Sequence, residues 1–138
     1  MRLEELIAAL PGCRVRGRRD AEITGITLDS RTVRPGNLFA ALPGRRGDGH
    51  DHAAEARGRG AAAILAQREV PNGGRMTVVL VEDSRAALAV LADRFWAAPS
   101  RELEVIGVTG TNGKTTVCYL TRDLLRAAGR RPALIGTI

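Results

Sequence analysis

The feature that most constrains the fold is a glycine-rich turn between an apolar run and a helical pattern. The apolar run is 103–109 (LEVIGVT), and the turn that follows reads GTNGKTT. Apolar residues then recur at helical spacing across 115–128, and Gly129 is placed to end that helix. A second apolar run, 132–138 (PALIGTI), comes next. This order of elements predicts a βαβ unit with strands of a parallel sheet.

The turn carries the residue types that bind a nucleotide phosphate. Glycines let backbone N–H groups approach an anion, and the first turn of a helix offers unpaired N–H groups at the positive end of its dipole. Lys114 adds a cation for the β- and γ-phosphates, and Thr115 adds a hydroxyl ligand for Mg²⁺. The glycine spacing departs from the strict P-loop pattern, because Val108 stands where that pattern has its first glycine.

Lysine usage supports the phosphate-binding interpretation over a purely structural turn. Of the 21 basic residues, one is lysine, Lys114, and the other 20 are arginine. A compact ammonium group therefore occurs at the one position where a planar guanidinium would fit badly.

The residues before this unit predict a separate, small α/β domain. Strands are predicted at 21–28, 37–42, 61–66 and 76–81, and helices at 3–10, at 50–59 and after a cap at Asp83-Ser84. A boundary near 98–102 gives two domains, 1–98 and 102–138. We expect the second to be truncated, since two parallel strands cannot bury both faces of a sheet. We therefore expect the chain to be the front part of a longer protein, or to work only with partners that it lacks.

Composition excludes several classes of protein. With 44% hydrophobic residues and no apolar run near the ~20 residues of a membrane span, we predict no membrane insertion. The start of the chain lacks a secretory signal pattern, which favours a cytoplasmic protein. The net charge of +6 comes from scattered arginines, and aromatic residues make up only 3%. We therefore predict no nucleic-acid partner, although the excess positive charge suits small anionic ligands.

Cysteine and histidine give no metal signature. Cys13 and Cys118 are far apart and predict two reduced thiols. His50 and His52 lie in a polar segment with no third ligand nearby, which favours the start of a helix over a metal site.

Two stretches together resemble the Mur ligases, ATP-dependent amide-forming ligases of peptidoglycan synthesis. TGTNGKTT on a strand-to-helix turn is similar to their ATP loop, and 25–65 is similar to their uridine-nucleotide-binding domain. The GTNGKTT loop and the later LIGTI resemble the UDP-N-acetylmuramoyl-tripeptide synthetase branch. The resemblance implies an α/β fold, with a small N-terminal uridine-nucleotide-binding domain followed by the first βαβ unit of a P-loop ATP-binding domain.

The resemblance also implies site residues. The ATP-binding set is Gly110, Thr111, Asn112, Gly113, Lys114, Thr115 and Thr116. Lys114 and Thr115 would be catalytic, and Thr115 would also hold Mg²⁺. The residues that would bind the UDP-sugar are Leu28, Ser30, Arg45, Arg46 and Gly47. On the residues alone, Asp29-Ser30-Arg31 is also consistent with a capped turn, and Arg45-Arg46 with simple solvent exposure.

The reaction implied is an amide ligation. ATP phosphorylates the D-glutamate carboxylate of UDP-MurNAc-L-Ala-D-Glu, the amine of a diamino acid attacks the acyl phosphate, and ADP and phosphate leave. In the family, a further metal ligand and the amino-acid pocket follow the part matched here, so we expect no ligase activity from these residues alone.

Other functions stay open. They are a MurF-type ligase adding D-Ala-D-Ala, a folylpolyglutamate synthetase, a P-loop kinase or GTPase, and a non-catalytic module that binds a UDP-sugar or an acidic partner. Folylpolyglutamate synthetases lack the N-terminal uridine domain, and the chain has no guanine-reading NKxD motif.

Overall fold

The computed structural model describes residues 1–44, 47–70 and 76–136. They divide into two compact units, Met1–Glu102 and Leu103–Ile138. Within the described ranges, no helix is long and apolar enough to cross a bilayer.

The first unit is an α/β fold around a five-stranded sheet. Its elements in chain order are α1 (Leu3–Ile7), β1 (Arg14–Arg16), β2 (Gly25–Thr27), β3 (Asn37–Ala40), α2 (Ala53–Gly58), β4 (Ala63–Ala66), β5 (Thr77–Leu80) and α3 (Ser84–Phe95). The strand order is β1-β5-β4-β3-β2, with β1 antiparallel to β5 and the other pairs parallel. The α/β class predicted from the sequence is confirmed.

The register of the parallel strands determines where a ligand site can form. Thr27 lies opposite Phe39, and Ala66 lies opposite Leu80. The carboxyl ends of β2 to β5 therefore share one edge of the sheet, and the segments that follow these strands all begin there. Crevices at the carboxyl ends of parallel strands are where open α/β sheets bind ligands.

The two faces of the sheet bury separate apolar clusters. Leu6, Leu38 and Leu91 belong to the cluster that involves α1 and α3, whereas Phe39 and Ile64 belong to the one that involves α2. Neighbouring residues of β3 thus point to opposite faces, as the two-residue repeat of a strand requires. Asp83 caps α3 by accepting from the N–H groups of Arg85 and Ala86, which confirms the predicted cap.

Two parts of the fold differ from the sequence prediction. β1 matches no predicted strand. The strand expected at 103–109 is not formed, and neither is the one expected at 132–138 over its described part. Their apolar side chains are largely exposed, as at Val105 and Ile135. A strand needs a neighbour to pair its backbone, and nothing pairs with either run within the described residues. The helix between them, α4 (Lys114–Ala127), is formed as expected.

Candidate functional site

The predicted phosphate loop of the second unit turns directly into α4. Gly110 has φ +147° and Gly113, the N-cap residue, has φ +76°, backbone conformations that side-chain-bearing residues rarely adopt. A Cβ added at Gly113 would meet no heavy atom within 4 Å. Glycine is therefore required at Gly113 by backbone conformation rather than by lack of space.

The start of α4 has the properties of an anion-binding helix terminus. No side chain caps it, so the N–H groups of its first turn, including those of Lys114 and Thr115, are left for an external acceptor. The Lys114 ammonium lies over the turn, where it donates to the carbonyl oxygens of Gly110 (2.5 Å) and Thr111 (3.3 Å). The residues from Gly110 to Thr116 thus present several donors and one cation, the chemistry that a nucleotide phosphate needs.

In the first unit, two predicted substrate-binding residues lie just after β2, at the carboxyl edge of the sheet. Leu28 is 56% exposed, so its apolar side chain is accessible at this edge. Ser30 opens a 3-10 turn, Ser30–Thr32, that is capped by the side chain of Asp29. The alternative of a capped turn at Asp29-Ser30-Arg31 is therefore also present in the structure. The Arg31 guanidinium holds the pKa of Asp29 down at about 2.

Glu55, which sequence reasoning missed, is the hydrogen-bond partner of Ser30. The Ser30 hydroxyl donates to Glu55 Oε2 at 2.6 Å in a part-buried hydrogen bond, and the Arg59 guanidinium donates to Oε1 at 3.2 Å. The Ser30 hydroxyl lowers the pKa of Glu55, and Arg59 lowers it further. Ser30 and Glu55 are separated by 25 positions along the chain, so only the packing of α2 on the Ser30 turn reveals the pair.

The remaining predicted substrate residues belong to the loop after β3. Gly47 is exposed, and Arg45 and Arg46 lie outside the described residues. The ends of this loop are fixed by an antiparallel bridge between Pro43 and Asp48. Arg85 from the start of α3 donates to the Pro43 carbonyl at 2.8 Å, which ties the loop to the same sheet edge.

The buried side chain of His50 contacts Asp48 at the end of this loop. His50 is 2% exposed, with Nδ1 2.5 Å from Asp48 Oδ1 and Nε2 accepting from the backbone N–H of Gln67 at 3.0 Å. Both ring nitrogens are thus occupied, and the ring donates through Nδ1. No group of three or more potential metal ligands occurs within the described ranges. The segment Gly49–His52 leads into α2, which confirms the predicted helix start.

Asp48 gives the first unit a predictable acid sensitivity. Its pKa lies well below 3.8, first because Arg68 donates to it at 2.7 Å and then because the His50 backbone and ring also donate. A carboxyl whose pKa falls on folding stabilises the fold above its unfolded value. That contribution is lost as pH falls through 3.8 toward the folded pKa. Asp29 acts in the same direction.

We therefore expect the urea midpoint to stay constant from pH 7 to about pH 5 and to fall between about pH 4 and pH 2. Circular dichroism at a series of pH values measures this. Asp48→Asn should flatten the acid limb of the curve. An unchanged acid limb in that variant would show that Asp48 is not its source.

Comparison with known proteins identifies the family. The protein-family model described as "Mur ligase family, catalytic domain" matches residues 22–96, which is more than half of the chain. The chain belongs to the Mur ligase family. This Mur ligase chain is 44% identical over all 138 residues to UDP-N-acetylmuramoyl-L-alanyl-D-glutamate–2,6-diaminopimelate ligase of Syntrophomonas wolfei, and 47% identical to the ligase of the same name from Geobacillus kaustophilus. It spans 28% of the length of each.

Solved structures agree with this assignment. The MurF ligase of Thermotoga maritima, in complex with ADP, is 38% identical and superposes with a TM-score of 0.58. That match covers 78% of this Mur ligase chain and 24% of the MurF chain.

Proposed function

We propose that this chain supplies the UDP-sugar-binding and ATP-binding parts of a cytoplasmic, ADP-forming ligase of peptidoglycan synthesis. The substrate would be UDP-MurNAc-L-Ala-D-Glu, and the amino acid added would be the diaminopimelate that the relatives' names give. The observation that carries the proposal is the loop before α4. This Mur ligase chain has an uncapped helix start, glycines at positive φ and its single lysine within the segment Gly110–Thr116.

The proposed roles follow from the chemistry of phosphoryl transfer. Positioning and charge neutralisation are its main requirements, and both are met by backbone N–H groups and a cation. Lys114 would neutralise charge on the γ-phosphate, and the Thr115 hydroxyl, in the first turn of α4, would be one ligand of Mg²⁺. When bound, the ion would help to offset the negative charge of the phosphates. Thr115 supplies one oxygen only, so the other ligands would be waters, phosphates and groups elsewhere in the ligase.

The sugar nucleotide would lie at the carboxyl edge of the first unit's sheet. Leu28 offers exposed apolar surface there, Ser30 offers a hydroxyl, and the loop with Arg45, Arg46 and Gly47 offers cations and a bare backbone. This edge is the expected ligand position in a parallel sheet. The two predicted domains would thus each bind one substrate.

A second candidate is a ligase of the MurF type, which adds D-Ala-D-Ala. The likeness to the Thermotoga maritima MurF favours it, since that protein is 38% identical over 78% of the chain. The match to diaminopimelate ligases, which extends over all 138 residues of this chain at 44–47% identity, favours the first candidate.

The proposal is tested by titrating each ligand into the isotope-labelled chain and monitoring the backbone amide signals by NMR. UDP-MurNAc-L-Ala-D-Glu should shift the amide signals of Leu28, Ser30 and Gly47, and ATP with Mg²⁺ should shift those of Gly110–Thr116. Each ligand should leave the other set of signals unchanged. Failure of the UDP-sugar to shift the first set would contradict the assignment of the first unit.

A further inference from the structure

The Ser30–Glu55 pair determines which hydrogen-bonding groups the first unit can offer a ligand after β2. A hydroxyl has one proton, and that of Ser30 is directed at Glu55 Oε2, 2.6 Å away. The hydrogen bond to an ionised acceptor is a strong one. The Ser30 oxygen therefore has only lone pairs left, and it can accept a hydrogen bond from a ligand but not donate one.

Glu55, like Ser30, offers a ligand only hydrogen-bond acceptors. Its side chain is 39% exposed, and an ionised carboxylate can only accept hydrogen bonds. Arg59 takes one position on Oε1 at 3.2 Å, and His52 Nδ1 lies 4.0 Å from Oε2. A carboxylate has about four lone-pair directions, so acceptor capacity is left over.

Nearby charge gives little attraction for phosphate at this point. Arg31 makes a bidentate ion pair with Asp29, and Arg59 is paired with Glu55. Because a phosphate group at neutral pH is itself an anion that only accepts hydrogen bonds, it would find no donor in the Ser30 hydroxyl or the Glu55 carboxylate, and the two arginines beside them are already paired. A nucleoside, in contrast, carries donors: the imide N–H of uracil and the ribose hydroxyls.

We propose that the Ser30–Glu55 pair binds donors of the nucleoside part of the ligand, and that Glu55 acts as a positioning residue that keeps Ser30 an acceptor. The inference rests on the proposed uridine-nucleotide site. It adds which part of the nucleotide lies against Ser30 and assigns the pyrophosphate to another position along the sheet edge.

The test compares UDP and uridine binding to the 138-residue chain and to two variants by NMR titration. Glu55→Ala frees the Ser30 proton and removes an acceptor, so both affinities should fall by a similar factor of about ten. Glu55→Gln keeps an acceptor oxygen for Ser30, so both affinities should stay within about threefold. If Glu55 acted only through its negative charge, removing that charge would tighten the binding of UDP, which is an anion. A fall in UDP affinity in Glu55→Ala therefore distinguishes the acceptor role from a charge effect.

Two uridine analogues distinguish the donors. 3-Methyluridine lacks the imide N–H, and 2′,3′-dideoxyuridine lacks the 2′- and 3′-hydroxyls of the sugar. The analogue that lacks the donor read by the pair should bind the unsubstituted chain about tenfold more weakly than uridine, and this penalty should vanish in Glu55→Ala. A purely structural role for Glu55 would leave the penalty in place.

The outcomes separate this inference from the proposed function. If neither UDP nor uridine binds the unsubstituted chain, the proposed uridine site is wrong and the inference fails with it. If both bind and Glu55→Ala leaves uridine affinity unchanged or tightens UDP, the site stands and the acceptor assignment of Ser30 is wrong.

Discussion

Lys114→Ala should lower the affinity of the chain for ATP by about 10- to 100-fold and leave its affinity for UDP unchanged. A hydrogen bond between a charged donor and a charged acceptor contributes about 1.5–3 kcal/mol, which corresponds to this range. In the structure the ammonium already lies over the turn, bonded to the carbonyls of Gly110 and Thr111. Removing it deletes the only side-chain cation between Gly107 and Thr121. Titration calorimetry with ATP and Mg²⁺ measures the change.

Lys114→Arg is the matched control, because it keeps the charge and changes its shape. A planar guanidinium cannot lie over the tight turn as the compact ammonium does, so we expect ATP affinity between those of the parent and the alanine variant. Equal ATP affinity in all three proteins would contradict a phosphate-binding role for Lys114. A parallel loss of UDP binding would mean that the substitution disturbs more than the loop.

Buried strands were the easiest part of the fold to predict. The strands Asn37–Ala40, Ala63–Ala66 and Thr77–Leu80 each contribute apolar side chains to the buried clusters on both faces of the sheet, so their sequences read as nearly continuous apolar runs. Arg14–Arg16 was missed because it is an edge strand whose two arginines are exposed, with only Val15 half-buried. Three residues with one apolar side chain carry too little pattern to identify a strand.

The apolar run at 103–109 shows the opposite difficulty. Its composition predicts a buried strand, yet residues such as Leu103 and Ile106 are exposed in the second unit. Apolar composition reports that a segment prefers burial, whereas a strand also needs a neighbour to bond its backbone. Local sequence therefore identified α4, whose hydrogen bonds are internal, more reliably than the runs beside it.

The two candidate sites also differ in how far local sequence reveals them. The proposed phosphate loop is contiguous, so its glycines and Lys114 stand together in the sequence. At the other site, Ser30 was accessible to prediction, but its partner Glu55 was not, because the pair forms only when α2 packs against the turn after β2. His50, which the sequence places at a helix start, also takes part in a buried hydrogen-bond network with Asp48 and Gln67.

The largest expected effect on stability comes from the sheet of the first unit. Phe39→Ala should destabilise that unit by about 3–5 kcal/mol, because it removes a fully buried aromatic ring and leaves a cavity beneath α2. For a unit of this size the melting temperature should fall by roughly 12 °C or more. Urea denaturation monitored by circular dichroism gives the free energy of unfolding.

Leu124→Ala is the contrasting control, because the same kind of truncation is made where the side chain is 72% exposed. We expect a change in the free energy of unfolding within about 0.5 kcal/mol. The comparison tests whether stability in this chain resides in the covered sheet rather than in the apolar face of α4. A loss at Leu124 comparable to that at Phe39 would mean that α4 is packed in solution, and the exposure of that helix would then have to be revised. A small effect at Phe39 would place the stabilising core elsewhere than around β3.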